Sequence, residues 1–245
     1  MNIQPGTPVL PEALATARAF TESLPDLGTG FIRRIYLHWT VAGFGCTFGD
    51  YNGEADFENG KWVMKLTHSP VDNAMGDQTK EAAHTFHRNS HALGVSIAGM
   101  DAASFRDFGA HAVNQHGIEH MLALAASFCV KYGVDADAEA PNVFGVTVEP
   151  QWGTGEHTIM THAEASLMTP SGNFPHYFCF KKGGDPDCRW DHATQNPQVT
   201  APDEAEARAT GDIYRRRIHD YALALKTASA TSATTASVAS VLSSV

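Results

Sequence analysis

The chain has 245 residues, enough for one generous domain and a substantial buried core, and its 43% hydrophobic and 18% charged residues exclude wholesale disorder. A formal charge of -10 excludes a nucleic-acid partner, because no basic stripe is present to neutralise phosphates. The nearest approach, Arg215-Arg216-Arg217, reads as the solvated face of a mixed-charge helix.

In chain order, residues 1–27 read as an N-terminal extension in which Pro11 opens a short helix that reaches about Leu24. The opening residues lack a cationic start followed by an apolar stretch, so no signal peptide is expected. Phe31 to His38 is β-rich, with Ile35 and Leu37 on one face and Arg34, Tyr36 and His38 on the other. A Gly-rich loop follows, and Ala55 to Leu66 reads as a hairpin turning at Glu58-Asn59-Gly60. Residues 67–91 are polar and without clear periodicity, the character of a segment that covers a site.

Leu93 to Met100 is a short apolar run that reads as a buried strand. Ile118, Met121, Leu122, Ala125, Cys129 and Tyr132 recur at helical spacing between an Asn114 N-cap and a Gly133 stop, with Cys129 on the apolar face. Val143 to Val148 and Thr158 to His162 read as further strands, and 165–200 as a long excursion. A helix from about Pro202 to Lys226 is expected to be interrupted at Thr210-Gly211. The Ala/Ser/Thr-rich tail, 227–245, should be flexible alone, with Val238, Val241, Leu242 and Val245 available for self-association or docking on a partner. Strands interleaved with helices give an α/β (α+β) domain over 28–226, a central mixed β-sheet flanked by helices. No apolar run is long enough to span a membrane.

The four cysteines are too few and too scattered for a disulfide framework, although Cys179 and Cys188 bracket a turn and can bridge in an oxidising compartment. Histidine is over-represented, with 13 residues, and position decides what they do. A catalytic zinc site needs three protein ligands on rigid elements and one open position. His38 and His162 each end a predicted strand, and Asp191 closes the segment CRWD. If Thr161–Glu164 stays extended, Glu164 shares a face with His162 and can orient it; the same alternation sets Arg189 beside Asp191.

Several motifs carry a family resemblance. IYLHWTVAGF resembles the opening strand and loop of the N-acetylmuramoyl-L-alanine amidase and peptidoglycan-recognition-protein family, including its bacteriophage lysins. AAHTFHRNSHALGVSIAGM resembles that family's central segment, the helix ending in KYGV its Tyr-Gly-terminated helix, and MTHAE and RWD its last two zinc-ligand motifs. Together they span residues 31–191. The resemblance implies zinc held by His38, His162 and Asp191, with Cys188 a rival third ligand because the interval to Asp191 is long. It implies Arg189 in place of an oxyanion-stabilising lysine, and His84 lining the substrate groove. Glu164 or Tyr51 would assist proton transfer, since the family's central-strand glutamate position is Ser96 here.

The implied reaction is hydrolysis of the amide between N-acetylmuramic acid and L-alanine in peptidoglycan. It would be carried out in the periplasm or wall by a protein made in the cytoplasm and released by lysis or carried in a phage particle. A peptidoglycan-binding module without turnover and a structural phage component with a wall-cutting domain are the alternatives. The His162-x-Glu164 spacing also occurs in zinc deaminases, but no Pro-Cys-x-x-Cys follows.

Overall fold

A computed structural model describes residues 3–85, 89–101, 111–135, 157–167, 191–192, 194–195 and 203–242, with main chain alone beyond residue 228. The elements are α1 (Pro11–Ser23), β1 (Arg34–Trp39), β2 (Gly53–Glu58), β3 (Lys61–Leu66), α2 (Pro70–Met75) and β4 (Ala92–Ile97). They continue with α3 (Gln115–Tyr132), β5 (Ile159–Thr161), α4 (His162–Leu167) and α5 (Glu204–Leu242). Among the described residues, the five strands form one mixed sheet in the order β3-β2-β4-β1-β5. β2, β4, β1 and β5 run parallel to their neighbours, and β3 alone is antiparallel, to β2. This is the expected α/β architecture.

The hairpin turns where Asn-Gly allows it, with both Asn59 and Gly60 at positive φ. Every residue of β4 is buried, as its apolar run predicts for a central parallel strand. Asn114 accepts from the Gly117 N–H and Gly133 closes α3 in the left-handed conformation, so both caps fall where the sequence sets them. α3 lies close against the sheet: a Cβ on Gly53 would meet the Phe128 ring at 2.9 Å. Cys129 is buried in this layer as expected.

Three readings change. The segment before residue 28 is not held apart from the domain: Ile3, Ala13, Ala17, Phe20 and Leu24 are core residues, and Phe20 packs edge-on against Phe128 at 5.6 Å. Arg215 and Arg217 are not a solvated face; both are buried, and only Arg216 of the triplet is exposed. Arg217 reaches Glu119 on α3 at 3.0 Å and the carbonyls of Thr7 and Pro8, tying the N-terminal segment to α3 and α5. Finally, α5 runs unbroken through Thr210-Gly211 and on through the tail to Leu242. The Ala-rich composition that cannot build a core has high helix propensity, which accounts for the continuation. The predicted Val143–Val148 strand, Cys179, Cys188 and Arg189 lie outside the described residues.

Gly211 is required for space rather than as a breaker. A Cβ there would overlap the carboxylate of Glu164, which forms a two-pronged buried pair with Arg215, Nη1 to Oε2 and Nη2 to Oε1 both at 2.9 Å. Glycine to alanine inside a helix ordinarily stabilises by about 1 kcal/mol. Disrupting a buried pair costs roughly 3–5 kcal/mol. Gly211→Ala is therefore expected to lower stability by at least about 2 kcal/mol in denaturant unfolding; a gain in stability would show that the pair does not constrain this position.

Candidate metal centre

His38 is the fifth residue of β1 and is flanked in register by Ser96 on β4. β5 pairs with β1 through Leu37↔Thr161, so His162, the next residue, arrives beside His38 at the same edge of the sheet. There the chain turns helical rather than staying extended, and His162 is the first residue of α4. The main chain around Asp191 is pinned from two sides. The Ala163 N–H donates to the Asp191 carbonyl at 3.2 Å, and His192 Nε2–H donates to the His38 carbonyl at 2.8 Å.

The result is three buried side chains whose ligand atoms converge and that could hold a metal ion. Asp191 Oδ2 is 3.5 Å from His38 Nδ1 and 3.3 Å from His162 Nδ1, and the two imidazoles meet edge-on at 4.5 Å. His38 Nδ1 is buried without a hydrogen-bond partner among the described residues. Its Nε2 faces Thr85 Oγ1 at 3.2 Å, and the same oxygen faces His84 Nδ1 at 3.0 Å. With Nδ1 of His38 left as an acceptor, its Nε2–H donates to Thr85, and the Thr85 O–H then donates to His84. That order fixes the His38 tautomer a metal needs and leaves the His84 proton on Nε2.

Burial, reinforced by the neighbouring His162, lowers the His38 pKa from 6.5 to about 3. Burial alone would raise the Asp191 carboxyl, but hydrogen bonding and charge from His162 and His38 more than offset it and hold Asp191 well below the carboxylate range. Burial also pushes His84 well below the ordinary imidazole value. Two imidazole nitrogens in lone-pair form beside an ionised carboxylate oxygen make a donor set for a divalent cation.

The other predicted site residues divide. His84 is present, stacked over Gly94, where a Cβ would meet its ring carbons at 2.5 Å, and its own ring lies 5.7 Å from that of His38. Tyr51 also stands beside His38, ring to ring at 5.1 Å, with its hydroxyl donating to the Trp39 carbonyl at 3.2 Å. Glu164 is not an orienting group for His162. Because the chain coils at His162, the Glu164 carboxylate turns back to accept from the Thr161 N–H at 3.0 Å and from Arg215. Arg189 and the rival Cys188 lie outside the described residues.

Thr85 and His192 were not anticipated, since each acts through one contact with a residue 47 or 154 positions away. Nor was the buried amide network that seats the 67–91 segment. Asn52 Nδ2 donates to Asn73 Oδ1 at 2.7 Å, Gly94 N–H donates to Asn52 Oδ1, and Asn89 Oδ1 accepts from the Thr85 N–H at 2.8 Å. The signal available was three asparagines in a stretch without periodicity.

His38→Ala should remove stoichiometric metal from the purified protein. In the metal-free protein it has a second consequence. The unfolded chain binds a proton at His38 that the fold excludes, so stability is full above about 6.5 and is lost as pH falls toward 3. His38→Ala should flatten that dependence by up to about 1.4 kcal/mol per pH unit. An unchanged slope in pH-dependent unfolding would mean that His38 is not held neutral. No protein-family model, curated protein or solved structure matches this chain.

Proposed function

We propose that this protein is a zinc-dependent hydrolase that cuts the amide between N-acetylmuramic acid and L-alanine in peptidoglycan. The observation that carries the metal chemistry is the His38–His162–Asp191 convergence. Ligands about 2.0–2.2 Å from a tetrahedral ion lie roughly 3.3–3.6 Å apart. The 3.5 and 3.3 Å separations to Asp191 Oδ2 support that geometry, as does the orphaned, tautomer-fixed Nδ1 of His38. With two imidazoles and one carboxylate, zinc is the fitting ion. The order of motifs from IYLHWTVAGF to RWD supports the choice of substrate.

Zinc bound there would supply Lewis acidity toward the amide carbonyl and make the attacking water more acidic at neutral pH. His38 and His162 serve as neutral donors because burial and mutual repulsion disfavour their charged forms, and Asp191 contributes the single negative charge. His84, neutral and carrying its proton on Nε2, offers a donor to a substrate oxygen beside the centre. Arg189, two residues before Asp191 in sequence, is proposed as the cation that stabilises the developing oxyanion. Glu164 is committed to Arg215 and takes no part in proton transfer in this proposal.

Zinc-loaded protein incubated with purified peptidoglycan should release free stem peptides beginning in L-alanine, seen by mass spectrometry. Chelation should abolish release and added zinc restore it. New reducing sugar ends without free peptides would contradict an amidase and point to a glycosidase.

A further inference from the structure

A buried acid on the same face of the sheet is left over by everything described above. β2 pairs with β4 through Glu54↔Ser96, and β4 pairs with β1 through His38↔Ser96. Partners in register on adjacent strands carry their side chains to the same face, so His38, Ser96 and Glu54 form one row across the sheet. His162 continues the row past the end of β5, and Lys65 continues it on β3.

Glu54 is fully buried, and both of its carboxylate oxygens lack a hydrogen-bond partner among the described residues. Its neighbour Asp56 is fully served: Lys65 Nζ lies at 2.7 Å, and the N–H groups of Gly45 and Phe57 donate at 2.8 and 2.7 Å. Lys65 is also paired with Glu58, so the cation of this row is committed elsewhere. A buried carboxylate without partners is costly, and such groups concentrate where a proton must be held. Between Glu54 and His38 stands only the small side chain of Ser96, whose hydroxyl makes a long 3.5 Å contact to the Gly53 carbonyl.

We propose that Glu54 is the proton-accepting group of the His38–His162–Asp191 centre, acting across Ser96; the proposal rests on the amidase reading for its substrate. Glu54 takes one proton from the attacking water, whose oxygen bonds to the carbonyl carbon. The carbon–nitrogen bond then breaks, and the Glu54 carboxylic acid returns the proton to the departing alanine nitrogen, regenerating the carboxylate. The products are a free lactyl carboxyl and a free amine. Burial, followed by the charge of Asp56, raises the Glu54 pKa to about 7, where a group can both take and give a proton at neutral pH. Glu58 adds to that shift, and the Phe48 main chain and Lys65 oppose it only in part. His38, on β1, faces the row as a neutral imidazole.

Two measurements test this. In protein carrying carbon-13 at the glutamate carboxyls, with the signal assigned by Glu54→Asp, Glu54 should titrate near 7 without metal. Zinc together with Asp191 carries a net single positive charge roughly 10 Å away, so loading should lower that midpoint by about one pH unit. A midpoint that zinc does not move would overturn the proposal whatever the substrate is. Glu54→Gln should keep one zinc per chain and a KM within about twofold of wild type, lose roughly a hundredfold in kcat, and lose the pH limb near 7. Turnover at the wild-type level would overturn the proposal. Absence of peptide release by the zinc-loaded wild type would instead sink the amidase reading, and the titration would still decide whether Glu54 belongs to the centre.

Discussion

Everything at this site depends on one carboxylate oxygen, Asp191 Oδ2, being faced by two imidazole nitrogens in a place closed to water. Asp191 is 4% exposed, and His38 and His162 are 0% and 7% exposed, so solvent cannot satisfy the set. A single proton can bridge one nitrogen to the oxygen but leaves the other nitrogen bare, as His38 Nδ1 is left. A divalent cation satisfies all three at once. The depressed proton affinities of His38 and Asp191 express the same constraint: the pocket disfavours protons on both partners and so keeps the donor atoms available.

The topology explains why these residues can meet. β1 lies between β4 and β5, all parallel, so the carboxyl ends of the strands open on one edge. Ligand sites in open α/β sheets form at such edges. β1 brings His38 there, β5 delivers His162 one residue beyond its end, and the change from strand to helix at that point aims the ring inward. The buried Glu164–Arg215 pair anchors α4 to α5, which fixes the first turn carrying His162. α5, placed against α3 by Arg217 and Glu119, thus contributes to the metal site without touching it.

Much of this was legible in the sequence where the signal is local. The Asn59-Gly60 turn, the Asn114 and Gly133 caps, the apolar β4 and the strand-end positions of His38 and His162 each follow from neighbouring residues. What was not legible depended on partners far along the chain. Glu164 reads as an orienting acid when Thr161–Glu164 is taken as extended; its true partner, Arg215, is 51 residues away. Gly211 reads as a helix breaker until Glu164 is found occupying the space its side chain would fill. The N-terminal segment reads as an extension because its apolar residues are sparse, yet Ile3 and Phe20 complete a core built by α3. Glu54 was passed over as an ordinary hairpin residue. The available hint was that Glu54 and Asp56 occupy alternate positions of a strand, which sends two acids to one face of the sheet.

The most direct test is X-ray absorption at the zinc edge on the zinc-loaded protein, which reports the atoms bound to the metal. Two imidazole nitrogens at about 2.0–2.1 Å and a carboxylate oxygen at about 2.0–2.2 Å, in a four-coordinate shell without sulfur, are the expected result. A sulfur at about 2.3 Å would replace Asp191 by a thiolate such as Cys188, and a shell of oxygens alone would remove both histidines. Either outcome would contradict the His38–His162–Asp191 centre.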